Sequence, residues 1–434
     1  MVPGELSSVS VKPCDHVLFL QGMPSPFLYR IAQKLETHGC RTTRINLCAG
    51  DRLFWPGKNA LDYRGTLAAW PHFIRQFMLT QDVSDLVLLG EHRRYHREAV
   101  DVALEMGVRV TVTDFGYIRP DWVTWERNGM SGNSLFPRDP DVIRAMAAEA
   151  PQVDWQPRFF DNALMMAKGD LAYNFANIFG MFLYPRYQRS DRRPATLLYT
   201  PASGLRLLGN RIQRGSNQKK VAQLANNGHY FLFPLQLDFD FQIVAYSPFS
   251  GMAEAIRSVM RSFAAHAEPE DHLILKEHPW DPAIRNWEHF ALRESEALGI
   301  RHRVDYLRGG DLDTLIRHAR AVVLVNSSTG IRTLQFRKPL KTLGQALFNM
   351  DGLTHQGSLD TFWKEPGETD PDLADAFLRV LAATIQIRGV FFQEPGLSHA
   401  VDEAFRRLHS GTVGQLSTAQ LAPAMQNRKH KATP

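Results

Sequence analysis

Cysteine is scarce in this chain, with only Cys14, Cys40 and Cys48 among 434 residues. Three are too few for a disulfide framework, and no CxxC or Cys/His cluster offers zinc its ligands, so a reducing cytoplasm is the expected setting. Long apolar runs are lacking as well. The longest are strand-sized, far short of the roughly 20 residues that cross a bilayer. The polar opening from Met1 to Lys12 has neither the charged n-region nor the apolar core of a signal peptide. No GxGxxG fingerprint marks a dinucleotide site, and no short period marks a repeat array. Neither sign of charge dominates: 50 Lys and Arg against 45 Asp and Glu leave a net +5. That mild excess favours anionic partners without choosing between lipid headgroups and nucleic acid.

What is present describes an ordinary globular protein, 44% hydrophobic and 22% charged, with chain enough for two cores. Short apolar runs alternate with amphipathic ones: Val17 to Leu20 then Phe27 to Leu35, Leu86 to Leu89 then Tyr95 to Met106, then Val108 to Thr113. This is a βαβ rhythm, and strands that are nearly all apolar imply a parallel sheet covered on both faces. The rhythm restarts with Tyr230 to Pro234, Met252 to Ala265, His272 to Lys276, Leu312 to Ala319 and Val322 to Val325. The expected class is α/β, with two Rossmann-like domains facing across a cleft in a GT-B-like arrangement. An acceptor-side domain is expected over 12–200, a linker over 201–228, a donor domain over 229–410 and a polar basic tail over 411–434. The helix from Pro371 to Gln386 and another near Ala400 to Leu408 either finish the second domain or cross back to the first. The end of the tail (Arg428, Lys429, His430, Lys431) reads as a solvated terminus, with membrane electrostatics as the second reading.

Three constellations follow predicted strands of the second half, where open α/β sheets bind ligands. Lys276-Glu277-His278-Pro279 supplies a cation and a histidine able to donate to a phosphate or protonate a leaving group; alternatively it is a strand-ending turn. Asn326-Ser327-Ser328-Thr329-Gly330 opens a helix and offers an anion nest, or simple N-capping. Gln236-Leu237-Asp238-Phe239-Asp240 places two carboxylates on one face of an extended segment. Those carboxylates would hold a metal and a diphosphate, act without metal at an anomeric carbon, or form a solvated acidic turn. In the first half, Asp114 and Arg119 offer a carboxylate and a guanidinium to an acceptor or a sugar carboxylate, or pair with each other. The aromatic stretch Tyr173 to Arg193, ending in Arg186, Arg189, Arg192 and Arg193, reads as a membrane-resting segment or as a buried helix with a basic exit loop.

At these residues the chain resembles the capsule polysaccharide biosynthesis proteins of the KpsS and KpsC type, which are β-Kdo transferases, and is most like the KpsS type. The resemblance runs from about Val17 to Trp363. Its carriers are Phe19-Leu20-Gln21-Gly22, Ile45-Asn46 with Gly50-Asp51, Gly116-Tyr117-Ile118-Arg119-Pro120 with Trp122 to Glu126, Lys276 with His278-Pro279, and Asn326-Ser327-Ser328 with Gly330. It implies a retaining enzyme that moves Kdo from CMP-Kdo to phosphatidylglycerol or its lyso form, peripheral at the inner membrane, with other capsule proteins as partners and no nucleic acid. No cofactor or metal is implied, because CMP carries one phosphate. Asp240, four residues beyond Gln236, corresponds to the family's nucleophile, His278 to its HP histidine and Ser327, with Ser328 beside it, to its phosphate-binding serine. Gln236, Lys276, Asn326 and Arg119 are implied in substrate binding, and Asp114 in catalysis. In one departure, relatives carry two acids before the glycine where this chain has Asp114 and then Phe115. That difference motivates the alternative of a non-catalytic accessory protein in surface polysaccharide or lipopolysaccharide processing and chain-length control.

Overall fold

The computed structural model describes residues 14–189 and 214–416. Residues 201–213 of the expected linker, Arg192, Arg193 and the basic end of the tail lie outside them. The described chain forms two compact units, one of residues 14–135, 150–189 and 379–416, the other of 136–149 and 214–378.

The first unit is built on strands β1 (His16–Phe19), β2 (Arg41–Asn46), β3 (Ala60–Asp62), β4 (Asp85–Leu89), β5 (Arg109–Phe115) and β6 (Trp122–Arg127). They lie in the order 3-2-1-4-5-6, parallel except for β6. This is the doubly wound order, with its topological switch between β1 and β4. Because side chains alternate along a strand, Val17 and Phe19 pack against helices Phe27–Thr37 and Gly396–His409. Leu18 and Leu20 enter the opposite layer with Trp70, Ile74 and Tyr95.

The second unit has five strands, β7 (Tyr230–Pro234), β8 (His272–Lys276), β9 (Val304–Leu307), β10 (Ala321–Leu324) and β11 (Leu340–Thr342). All are parallel in the order β11-β10-β7-β8-β9, which puts the switch between β7 and β10. Phe231, Phe233, Leu273, Leu275 and Val323 project into one core layer with Ile256, Phe263 and Trp363. The α/β class expected from the rhythm is the one the chain adopts.

Three boundaries differ from those expected. Residues 136–149, expected in the acceptor-side domain, belong to the second unit. Residues 214–227, expected within the linker, are a helix. Its sequence has almost no apolar period, and it is held by Val221 seated on Gly310 and by a Lys220–Asp305 ion pair of 2.9 Å. The expected donor domain ran to 410, yet the chain returns to the first unit from Arg379. A last strand, β12 (Gln386–Arg388), adds antiparallel to β6, and the buried Arg388 guanidinium pairs with buried Asp121 at 2.9 Å. The return covers an edge that β6 would otherwise expose.

Candidate active site

The loops leaving β7 and β10 meet at the switch of the second sheet, and Gln236 and Asn326 join them. The Gln236 side-chain amide donates to Asn326 Oδ1 at 3.1 Å, and the Asn326 backbone N–H donates to Gln236 Oε1 at 3.1 Å. Both residues are buried, so each needs such a partner. Asn326 Nδ2 also donates to the Gln242 carbonyl at 2.7 Å, tying in the short helix Phe241–Tyr246. Asp240 caps that helix by accepting the Gln242 N–H at 2.9 Å, and it takes a further hydrogen bond from Gln236. The residue is half-buried. Desolvation therefore holds its pKa above the ordinary carboxylate value, against the opposing pull of the Gln242 and Gln236 hydrogen bonds. Gln236, Asp240 and Asn326 are thus one connected unit.

Asp238 does not share a face with Asp240, contrary to the expectation from an extended segment. The chain turns at Asp238 and Phe239, and Asp238 accepts the Met252 N–H at 2.8 Å, capping helix Met252–His266. Each carboxylate serves a different helix. Among the described residues, no group of three His, Cys, Asp or Glu side chains is placed to hold a metal ion.

Lys276 ends β8 beside this loop, its carbonyl accepting the Leu235 N–H at 2.8 Å while its buried ammonium donates to the Glu277 carbonyl at 2.9 Å. Tyr306 donates to the Glu277 carboxylate at 2.6 Å. His278 Nδ1 accepts the Trp280 N–H at 3.2 Å, so a neutral ring carries its proton on Nε2. Beyond β10, Ser327 Oγ accepts the Thr329 N–H at 3.2 Å and donates to the Thr329 hydroxyl at 3.0 Å, whereas Ser328 makes no side-chain cap. Gly330 serves packing, since a Cβ there would lie 2.2 Å from the Phe348 ring. Thr329 belongs to the motif named in the sequence, whereas Gln242 joins the site without a motif, recruited through its carbonyl by the loop geometry.

In the first unit, Asp114 accepts the Phe115 N–H at 2.7 Å, and the Arg119 guanidinium lies 5.0 Å over the Phe115 ring. Crowding lowers the Arg119 pKa, and the nearby Asp114 charge opposes that shift. Phe115 also meets Phe391 edge-on at 5.5 Å, so the departure from the family pattern places an apolar ring in an apolar contact. A second polar cluster lies at the carboxyl ends of β1 and β2. Buried Arg44 pairs with buried Asp51 at 3.3 Å and donates to Asn46 and to the Leu20 carbonyl. Gln21 donates to the Tyr173 hydroxyl at 2.9 Å, and that hydroxyl donates to Asp51 at 3.3 Å. That Arg44 and Tyr173 converge on Asp51 was invisible in sequence, because 129 positions separate the two.

The profile of the capsule polysaccharide biosynthesis protein family matches residues 84–392. Among curated proteins, the chain is 29% identical over 379 residues to the capsule polysaccharide export protein KpsS of Escherichia coli, covering 86% of this chain and 96% of that one. It is 27% identical over 391 residues to the capsule polysaccharide modification protein LipB of Neisseria meningitidis serogroup A, covering 88% and 93%. Among solved structures, it aligns with KpsC of Thermosulfurimonas dismutans, a β-Kdo 2,7 transferase, at 14% identity and a TM-score of 0.42, covering 90% and 99%.

Proposed function

Since the chain belongs to the capsule polysaccharide biosynthesis protein family, we propose that it is a retaining β-Kdo glycosyltransferase that moves Kdo from CMP-Kdo to phosphatidylglycerol or its lyso form. The observation that carries this reading is the Gln236–Asp240–Asn326 unit at the sheet switch, where a carboxylate is held in a desolvated setting by two amides. Asp240 attacks the anomeric carbon, the bond to the CMP phosphate breaks with its electron pair on phosphate, and an adduct on Asp240 forms. The acceptor oxygen then attacks the anomeric carbon as its proton passes to a general base, the role Asp114 would take; the bond to Asp240 breaks with its electron pair on the carboxylate, and two inversions retain configuration. His278, donating from Nε2, with Ser327, Ser328 and Lys276, would stabilise the departing phosphate. Asp114 and Arg119 would serve the acceptor or the sugar carboxylate. Asn326 and Gln236 are positioning residues. The acceptor implies work at the inner membrane, beside other capsule biosynthesis and export proteins.

The test is a mass spectrum of the reaction of purified chain with CMP-Kdo and phosphatidylglycerol. Lipid heavier by one Kdo, with CMP released, is expected from the native chain, and Asp240→Ala should lower the rate by about 10³-fold or more. No product across anionic lipids would sink the reading. Phe115, apolar where relatives are acidic, favours one other: a non-catalytic accessory. That reading gains if an Asp240→Ala, His278→Ala chain still restores surface polysaccharide to a deletion strain.

A further inference from the structure

Helix Ala163–Phe179 wears its polarity inside out. Its inward line is Gly169, Tyr173 and Asn177, spaced by four. Gly169 lies so close to the Pro24 carbonyl that a Cβ would come within 2.5 Å. The Tyr173 hydroxyl meets Gln21, Cys48 and Asp51, and Asn177 Oδ1 accepts the Gly50 N–H at 2.7 Å. The outward line is apolar and open to solvent, with Leu164 69%, Phe175 48% and Phe179 74% exposed. It continues past the helix with Met181 68% and Phe182 73% exposed. The Phe175 and Phe179 rings stack at 6.2 Å, so the stripe is continuous there. Clustered exposure of large apolar side chains marks an interaction surface.

Charge selects the partner. Lys168 lies on the stripe and Arg186 just beyond it; both are exposed, and neither makes an ion pair among the described residues. The helix has one acid, Asp170, which falls off that line. A second copy docked by two-fold symmetry would set these cations against their own counterparts. An anionic bilayer answers both features, apolar rings entering the acyl boundary and cations meeting phosphates. The helix is not long and apolar enough to cross a bilayer, and its polar inward line is held by the protein, so it lies in the interface.

We infer that this face is the surface by which the chain rests on an anionic lipid bilayer. The inference deepens the proposed function and rests on it for the identity of the acceptor. It also adds a geometric link. The helix that touches lipid on one side holds the carboxyl ends of β1 and β2 through Tyr173 on the other.

The experiment is flotation of the full chain with vesicles of phosphatidylcholine alone or mixed with phosphatidylglycerol. The native chain should float with the mixed vesicles. Phe179→Ser with Phe182→Ser should lower binding about tenfold or more. Lys168→Ala with Arg186→Ala should lower it about fivefold per charge removed, on anionic vesicles only. All should melt at the native temperature, since the side chains are exposed. Flotation unchanged in the phenylalanine variant, or no flotation of the native chain, would overturn the inference. So would a concentration-dependent dimer that the same variant abolishes. Native flotation lost with these substitutions but no Kdo transfer would sink the proposed function alone. Transfer in detergent micelles without native flotation would sink the surface alone.

Discussion

Asp240 is the residue on which the proposed chemistry turns, and its surroundings make a signed prediction. Desolvation raises its pKa, so the folded state holds the proton more tightly than the unfolded chain does. Stability from this group is present at low pH and is lost as pH rises from the ordinary carboxylate value through the raised one. Asp240→Asn should flatten that part of a stability profile measured by urea unfolding. If Asp240 is the nucleophile it must be ionised to react, so kcat/KM should rise with pH on a limb above the ordinary carboxylate range. Gln236→Ala deletes a hydrogen bond that lowers the pKa, and should move the limb further up. A purely structural role for Gln236 would leave the limb in place. Asp238 provides the contrast. As a helix cap, its loss in Asp238→Ala should cost about 1 kcal/mol in a thermal melt. The rate should survive both that change and EDTA, whereas a metal held between Asp238 and Asp240 requires both to abolish turnover.

Among the elements, the seven-residue helix Thr329–Gln335 shows how a motif and a packing need coincide. Gly330 belongs to the motif, yet its neighbour is the buried Phe348 ring. Gly330→Ala should destabilise by about 1–3 kcal/mol through overpacking. Phe348→Leu in the same chain should recover part of that loss, a coupling that a double-mutant cycle measures. Strands β1, β4, β5, β7, β8 and β10 and the amphipathic helices were legible because their apolar periods are strong, whereas the short or edge strands β3, β6, β9, β11 and β12 carried no such run. Helix 214–227 was not, because among its described residues Val221 supplies its one buried apolar anchor, and the Lys220–Asp305 pair that also holds it is tertiary. The extended segment expected around Asp238 failed for a similar reason. Alternation describes a strand only where a neighbouring strand holds it, and β7 has already ended at Pro234.

For the whole molecule, the decisive feature is the return of the chain to its first unit. Ile387, Phe391, Leu397, Val401, Ala404 and Leu408 are all buried in the core that β1 helps to form. Arg388→Met leaves Asp121 as a buried carboxylate without its cation, and should cost about 3–5 kcal/mol, read from urea melts of the full chain. The sequence by itself determined the α/β class, the strands with strong apolar runs and the carboxyl-end loops that carry Asp240, His278 and Ser327, because these depend on local period and turn chemistry. Only tertiary structure decided that Gln236 and Asn326 clasp each other across the β7–β10 switch, that Asp238 and Asp240 part company, and that β12 completes the first sheet. It also decided that helix 163–179 turns its apolar side outward. Each of these depends on which strands become neighbours, a long-range outcome of burial that no short window of residues contains.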